Sequence, residues 1–374
     1  MKMKQYLERI MKEYSEIGDS ARYGGKHCGS DAEQKGAEYI YRELKKLGLD
    51  SVEMIPVETS RYQFNDAVLT AGDLTIYPYG CISPGTPEEG ITAEIVSAGV
   101  GRRKDYEDID VSGKIVLIET KEEFEGGSLL PAYQMMEAQI HGAAAVVLFH
   151  SEDLLNEDTI NASVCSSILE IPVVSVSRRD AQALLQVIPV SANLKVDAEA
   201  DYSGGRSYEV IGEIRGETEE RILYTGHIDH FFRCLQDNVS SVATCLGIAK
   251  LMTESGWKPH RTIDFVFNAS HEIGNLEMTP PDLYGAWSLL NTVKPEWSDL
   301  IIANINFEYT ALSLNKMKIM ASYEVAAYAE KFMKVQPDEA EGFGCVDRNV
   351  TRDDYYLFTW ADTAVAISKE SRYL

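Results

Sequence analysis

No Cys-x-x-Cys pair occurs anywhere in this 374-residue chain, and its six cysteines (Cys28, Cys81, Cys165, Cys234, Cys245, Cys345) are scattered. That excludes both a zinc-ribbon spacing and a disulfide framework, and leaves the expectation of reduced, small core residues. Basic residues are scarce. Against 59 Asp and Glu stand 35 Lys and Arg, a formal charge of -24, so phosphate backbones and anionic membrane surfaces would be repelled and a solubilising acidic surface is the simpler reading. Long apolar runs are missing too. Met1-Lys2-Met3-Lys4-Gln5-Tyr6-Leu7 leads straight into an amphipathic pattern with charges every few residues, which offers neither a signal core nor a spanning stretch. The expectation is a soluble, cytoplasmic protein without a nucleic-acid or membrane partner, and with no internal repeat to set its oligomeric state. Its length allows two domains and rules out a single small module.

What is present falls into blocks. Ser30 as N-cap, Glu33 three residues on, apolar Ala37, Ile40, Tyr41 and Leu44, and Gly48 as a stop predict an amphipathic helix over 30–47 opened by a capping box. A strand over 51–57 follows. From about Tyr62 to about Gly204 the texture changes to short segments with Gly and Pro turns, read as an inserted domain over 63–204 within a discontinuous one over 1–62 and 205–374. Inside it, 113–118 and 144–149 predict buried strands separated by a helix over 133–140, and 171–176 leads into a helix over 179–187. The unit is β-rich, and its His141 and His150 read as surface or packing residues. From Glu209 the rhythm becomes strand, helix, strand, as in an α/β sheet: 222–225, 239–254, 263–267, a helix near 283–290, and 301–305.

Four spots in this last block carry chemistry: His227-Ile228-Asp229, Asp237-Asn238, His271-Glu272 and Asn306-Phe307-Glu308. His227, Glu272 and Glu308 each fall just past a predicted strand, where open α/β sheets place ligands. Imidazole nitrogen and carboxylate oxygen are the donors zinc takes. Asp229 could hold the second ring nitrogen of His227. Singly each spot has an ordinary reading: a hydrogen-bonded histidine, a helix cap at Asp237-Asn238, a solvated strand end at Glu308. Together, with the Gly226 turn and this element order, they suggest most of a dinuclear site. The remaining histidines offer no persuasive replacement ligand, His230 being expected to point away from His227 and His27 and His260 lying in polar loop contexts.

The segments Tyr224-Thr225-Gly226-His227-Ile228-Asp229, Gln236-Asp237-Asn238-Val239-Ser240-Ser241-Val242-Ala243 and Phe265-Val266-Phe267-Asn268-Ala269-Ser270-His271-Glu272 resemble the co-catalytic dizinc aminopeptidase family. That family also contains aminopeptidase Y, glutamate carboxypeptidase and the transferrin receptor. Val111-Ser112-Gly113-Lys114-Ile115-Val116-Leu117 and His141-Gly142-Ala143-Ala144-Ala145-Val146-Val147 resemble its inserted protease-associated domain. The resemblance implies a three-layer α/β/α zinc-exopeptidase domain and two zinc ions. It makes His227 a ligand of one zinc, Asp237 the bridging carboxylate, Glu272 a ligand of the other zinc, and Glu308, where the family usually has Asp, the remaining ligand of the His227 metal. Asp229 matches the residue that orients the ligand histidine, and Asp237-Asn238 a strained junction.

Two departures qualify it. His271 stands where the family has a second Glu as general base; imidazole can do acid-base work near neutral pH. The family's last zinc ligand is a histidine in a loop that follows segments resembling 351–358 and 361–366. This chain stops at Ser371-Arg372-Tyr373-Leu374, so either a histidine follows Leu374 in a longer protein or one metal is held weakly. The resemblance implies an exopeptidase, foremost an aminopeptidase, that hydrolyses peptide or aminoacyl substrates with metal-activated water. The alternatives are a catalytically silent binding or scaffold protein, as the transferrin receptor is, and a single-zinc amidohydrolase or cyclase.

Overall fold

The computed structural model describes residues 2–120, 131–151, 156–162, 168–277, 283–308, 310, 317–321, 340–345 and 365–368, with a few isolated positions between 328 and 335. The predicted first helix is present as α2 (Asp31–Leu47), after α1 (Met3–Ser15). Its stripe Ala37, Ile40 and Leu44 is buried, Ser30 caps it by accepting from the Glu33 amide, and Gly48 closes it in the left-handed conformation. The capping box is only half made. Glu33 turns its carboxylate inward, with consequences for the site described below.

The strand that follows does not stop at 57. β1 (Ser51–Ala71) pairs antiparallel with β8 (Val190–Ile214) from Ser51↔Glu213 to Ala71↔Ala192. This ribbon runs from one sheet region into the other, so the change in texture near Tyr62 is a register irregularity, between Thr59 and Arg61 opposite Gly205 and Asp201, rather than a break. A bulge keeps the strand pairing while it bends the ribbon.

Between β1 and β8 lie β2 (Leu74–Ile76), β3 (Tyr79–Gly80), β4 (Ile91–Ser97), β5 (Ile115–Thr120), α3 (Pro131–Ile140), β6 (Ala145–His150), β7 (Val173–Val176) and α4 (Arg178–Val187). β4 to β7 run parallel in order. Successive residues face opposite sides: Ile115, Leu117, Ala145 and Val147 pack toward α4 and the ribbon, while Val116, Ile118, Val146 and Leu148 pack toward α3. Burial on both faces explains why 115–118 and 145–149 read as continuous apolar runs.

After β8 come β9 (Thr218–His227), α5 (Ser240–Ser255), β10 (Arg261–Asn268), α6 (Tyr284–Ser288) and β11 (Ile301–Glu308). The sheet order β11-β9-β10-β8 has its first three strands parallel, extended beyond β11 by β14 (Val365–Ser368), β12 (Met317–Ala321) and β13 (Ala340–Cys345). Phe265, Phe267 and Val210 face α1, α2 and α5; Val266, Leu223 and Ile211 face Ala286, Leu289 and Trp297 on the other side. That is the three-layer α/β/α arrangement. Among the described residues no helix is long and apolar enough to cross a membrane.

Candidate metal centre

β9 and β10 end side by side, with Asn268 level with His227. One imidazole and the first residues past β10 are thereby delivered to the same sheet edge. The connection from β9 folds back through Leu235–Val239, a wide helical turn whose Asp237 and Asn238 leave helical dihedrals and share a cis peptide bond. Cys234 Sγ accepts from the Asp237 amide at 3.3 Å, and Asn238 Nδ2 donates to Phe307 O at 3.4 Å, tying the turn to the end of β11.

His227, Asp237 and Glu272 meet there, with one ligand atom from each inside a 4.8 Å cluster. His227 Nε2 and Asp237 Oδ1 are 3.1 Å apart, the spacing expected of two donors on one tetrahedral ion at bond lengths of roughly 2.0 Å. His227 Nδ1 lies 2.8 Å from Asp229 O. A carbonyl only accepts, so Nδ1 carries the proton and Nε2 keeps its lone pair for a metal. Burial, then the neighbouring Asp237 charge, push the Glu272 carboxyl up; a cation between the two acids would reverse that repulsion. This nitrogen-and-oxygen donor set, its imidazole buried and its two carboxylates partly so, fits zinc.

Asp229 meets the His227 ring with two groups: its backbone carbonyl, 2.8 Å from Nδ1, makes the shorter contact, and its carboxylate, the group expected from the sequence, lies 3.4 Å from the same nitrogen. The carboxylate also accepts from the His271 amide at 2.9 Å and the Glu272 amide at 2.8 Å, because the loop after β10 turns its N–H groups toward it. Asp229 thus fixes both ligand segments. His271 lays its ring flat on His227, centroids 3.9 Å apart and 7° from parallel. Glu308 ends β11, two residues beyond the Asn306↔Thr225 pair and so at the level of His227; its side chain, like residues 351–364 and 369–374, lies outside the described residues.

His230 points away from the cluster, as expected, onto Lys26 Nζ at 2.6 Å. His27 lies in the loop between α1 and α2, as expected, but is buried there, with Nδ1 2.9 Å from Asp19 Oδ2 and Nε2 2.8 Å from the Tyr79 hydroxyl. His141 stacks on Tyr106. Cys28, Cys81 and Cys245 are buried and Cys234 partly exposed, none of them in a disulfide. Lys26, His27 and His230 line one small cavity together with Asp229 and Glu272. Sequence reasoning missed this buried cluster, and missed Glu33 and Glu209, which grip the loop before Glu272. The available signal was an acid on the apolar stripe of a helix, Glu33 one turn before Ala37.

Residues 209–369 match the profile of peptidase family M28, and residues 91–184 that of the PA (protease-associated) domain. Aminopeptidase YwaD of Bacillus subtilis is 29% identical over 273 residues, which cover 70% of this chain and 55% of that protein. Carboxypeptidase Q of Homo sapiens is 23% identical over 270 residues, covering 68% and 57%. The chain spans about half the length of the curated relatives it matches. Among solved structures, a zinc aminopeptidase from Bacillus subtilis superposes with a TM-score of 0.74 at 21% identity, covering 97% of this chain and 84% of that one. An aminopeptidase from Aneurinibacillus sp. strain AM-1 does so with a TM-score of 0.65 at 19% identity, covering the same shares. The profile matches, the relatives, the inserted module and the sheet edge agree, and residues 209–369 carry a peptidase family M28 region, with the PA domain of residues 91–184 inserted into the same α/β/α domain.

Proposed function

We propose that this protein is a zinc-dependent exopeptidase acting as an aminopeptidase on peptide or aminoacyl substrates, with residues 1–62 and 205–374 as the catalytic domain and 63–204 as the inserted one. The convergence of His227, Asp237 and Glu272 carries the reading. The two relatives of higher identity are named as aminopeptidases and favour that activity, although carboxypeptidase Q of three vertebrates matches as well. His227, Asp237 and Glu308 would hold one ion, and Asp237 with Glu272 the second. When bound, zinc supplies Lewis-acid polarisation of the scissile carbonyl and acidifies water to near neutral pH. The chain's own residues do the rest. Asp229 O fixes the His227 tautomer, and the Asp229 carboxylate holds the His271-Glu272 backbone in place. His271, in the general-base position, takes a proton on a ring nitrogen and returns it to the leaving amine.

A second reading, a catalytically silent binding protein, is favoured by one observation: the His271 ring is stacked on His227, a packing role that needs no proton transfer. Metal analysis and a panel of aminoacyl chromogenic substrates separate the two. The peptidase reading expects zinc in the purified protein and activity that falls at least a hundredfold in Glu272→Ala. Metal-free wild-type protein would sink it; full activity in His271→Ala would remove the base assignment.

A further inference from the structure

Four successive amides leaving β10 all donate to buried carboxylates. Ala269 N bonds Glu209 Oε1 at 3.1 Å, Ser270 N bonds Glu33 Oε1 at 2.7 Å, and the amides of His271 and Glu272 bond the two oxygens of Asp229 at 2.9 and 2.8 Å. The three acids come from β8, from the first turn of α2 and from the segment after β9. Glu33 and Glu209 are both 0% exposed, so each stands where a charge is costly without hydrogen bonds to hold it.

Their grip falls where the backbone most needs it. Ser270 has φ 48, a left-handed conformation that is unfavourable for a non-glycine residue and persists only when its surroundings enforce it. Glu33 enforces it twice, through Ser270 N and through Ser270 Oγ at 3.1 Å, while its other oxygen accepts from Gly29 N at 2.7 Å. Both carboxylate oxygens are therefore committed as acceptors. Glutamine has the same shape but only one acceptor oxygen, so its NH2 group would face either Gly29 N–H or Ser270 N–H, donor against donor. The helix N-terminus favours the negative charge but does not account for the reach to Ser270, two residues before the ligand Glu272.

We propose that Glu33 and Glu209 are positioning residues of the metal centre, fixing Ala269 and Ser270 so that Glu272 is delivered to His227 and Asp237. The inference rests on the metal-centre reading above. Its consequence is that removing either grip weakens zinc binding itself, beyond any loss of fold stability.

The test measures zinc affinity by competition with a chromophoric chelator for wild type, Glu33→Gln, Glu209→Gln and Glu43→Gln, with the melting temperature of each metal-free protein. Glu43 is a buried acid on the same helix, paired with Arg9 and Lys46 and remote from the loop, so its variant reports a purely structural loss. The expected result is affinity lowered about tenfold in Glu33→Gln and Glu209→Gln, the lower end of what outer-shell partners of metal ligands contribute, and unchanged in Glu43→Gln despite a lower melting temperature. Wild-type affinity in folded Glu33→Gln and Glu209→Gln overturns the proposal. Should Glu33→Gln not fold, Glu33→Ala, which deletes both the bond to Ser270 N and the bond to Ser270 Oγ, is assayed below its melting temperature in its place, and affinity equal to wild type overturns the proposal equally. Wild-type protein that binds no zinc overturns the metal-centre reading and this inference with it, whereas zinc-binding wild type with unaffected variants overturns this inference alone.

Discussion

Lys26 carries its amine into the interior without an ion-pair partner among the described residues. Nζ donates to Tyr14 O at 3.0 Å, lies 2.6 Å from His230 Nε2 and sits 4.1 Å from the centroid of the Tyr14 ring. His230 Nδ1 faces the Phe232 carbonyl at 2.8 Å and so carries the ring proton, which leaves Nε2 to accept. Burial pulls the Lys26 amine down to about 7, against a weaker opposing pull from Asp19. The sign follows from proton counts. Between about pH 7 and the ordinary lysine value near 10.4, the unfolded chain binds a proton that the folded one does not, so this group makes stability rise with pH; below about 7 its contribution is flat. The unfolding free energy of wild type minus that of Lys26→Met is therefore expected to rise between pH 7.5 and 9.5, by at most roughly 1.4 kcal/mol per pH unit, in urea titrations. A difference that stays flat would mean that Lys26 folds charged. Little of this was legible in the sequence. A lysine beside His27 reads as solvated polar loop, and only the antiparallel bridge between Lys26 and His230 brings two distant polar residues into one buried cluster.

Helices and strands were more legible than their lengths. The stripe in α2 and the apolar runs at 115–118, 145–149 and 263–267 announced themselves because one face, or both, had to be buried. The extent of β1 and β8 did not, because their alternation is interrupted by bulges and by residues that face the junction of the two domains. Of the three residues that meet at the sheet edge, His227 and Glu272 were readable from strand ends and Asp237 through the family resemblance, whereas the acids that grip the loop were not, since Glu33 satisfied a simpler local rule as a helix-capping residue. At α6 the two levels conflict in a testable way. In a helix, glycine to alanine ordinarily gains about 0.5–1 kcal/mol. A Cβ at Gly285, however, would lie 2.1 Å from Ala269 O and 2.5 Å from Glu209 Oε1, and a backbone oxygen cannot yield as a side-chain tip can. Overpacking of this kind costs about 1–3 kcal/mol, so the clash outweighs the propensity. Gly285→Ala is expected to lower stability by about 2 kcal/mol in a denaturant titration; a gain would show that the α6 contact with the β10 turn is loose.

The whole molecule is organised by the β1–β8 ribbon, which joins the PA domain to the α/β/α domain through paired strands instead of a flexible linker. The cores respect no boundary either. The cluster that holds Ile115, Leu117 and Val147 of the PA domain also takes in Cys28, from the approach to α2, and Ile273 and Leu276, one and four residues after Glu272 of the proposed metal centre. Unfolding the PA domain alone would strip the metal loop of its packing, so the two should unfold together and should respond together to metal. Two reporters lie on opposite sides of the junction: the thiol of Cys81, 1% exposed in the PA domain, and the indole of Trp297, 5% exposed in the α/β/α domain. In guanidinium titrations the reactivity of Cys81 and the tryptophan fluorescence are expected to change at one midpoint. Zinc at a hundredfold excess over its dissociation constant adds about 2.7 kcal/mol to a state that binds it, so a chelator should move both midpoints down by the same amount. If Cys81 became reactive at lower guanidinium and stayed indifferent to the chelator, the ribbon would be a tether between independent domains, and the packing of Ile273 and Leu276 would not be what holds the metal loop.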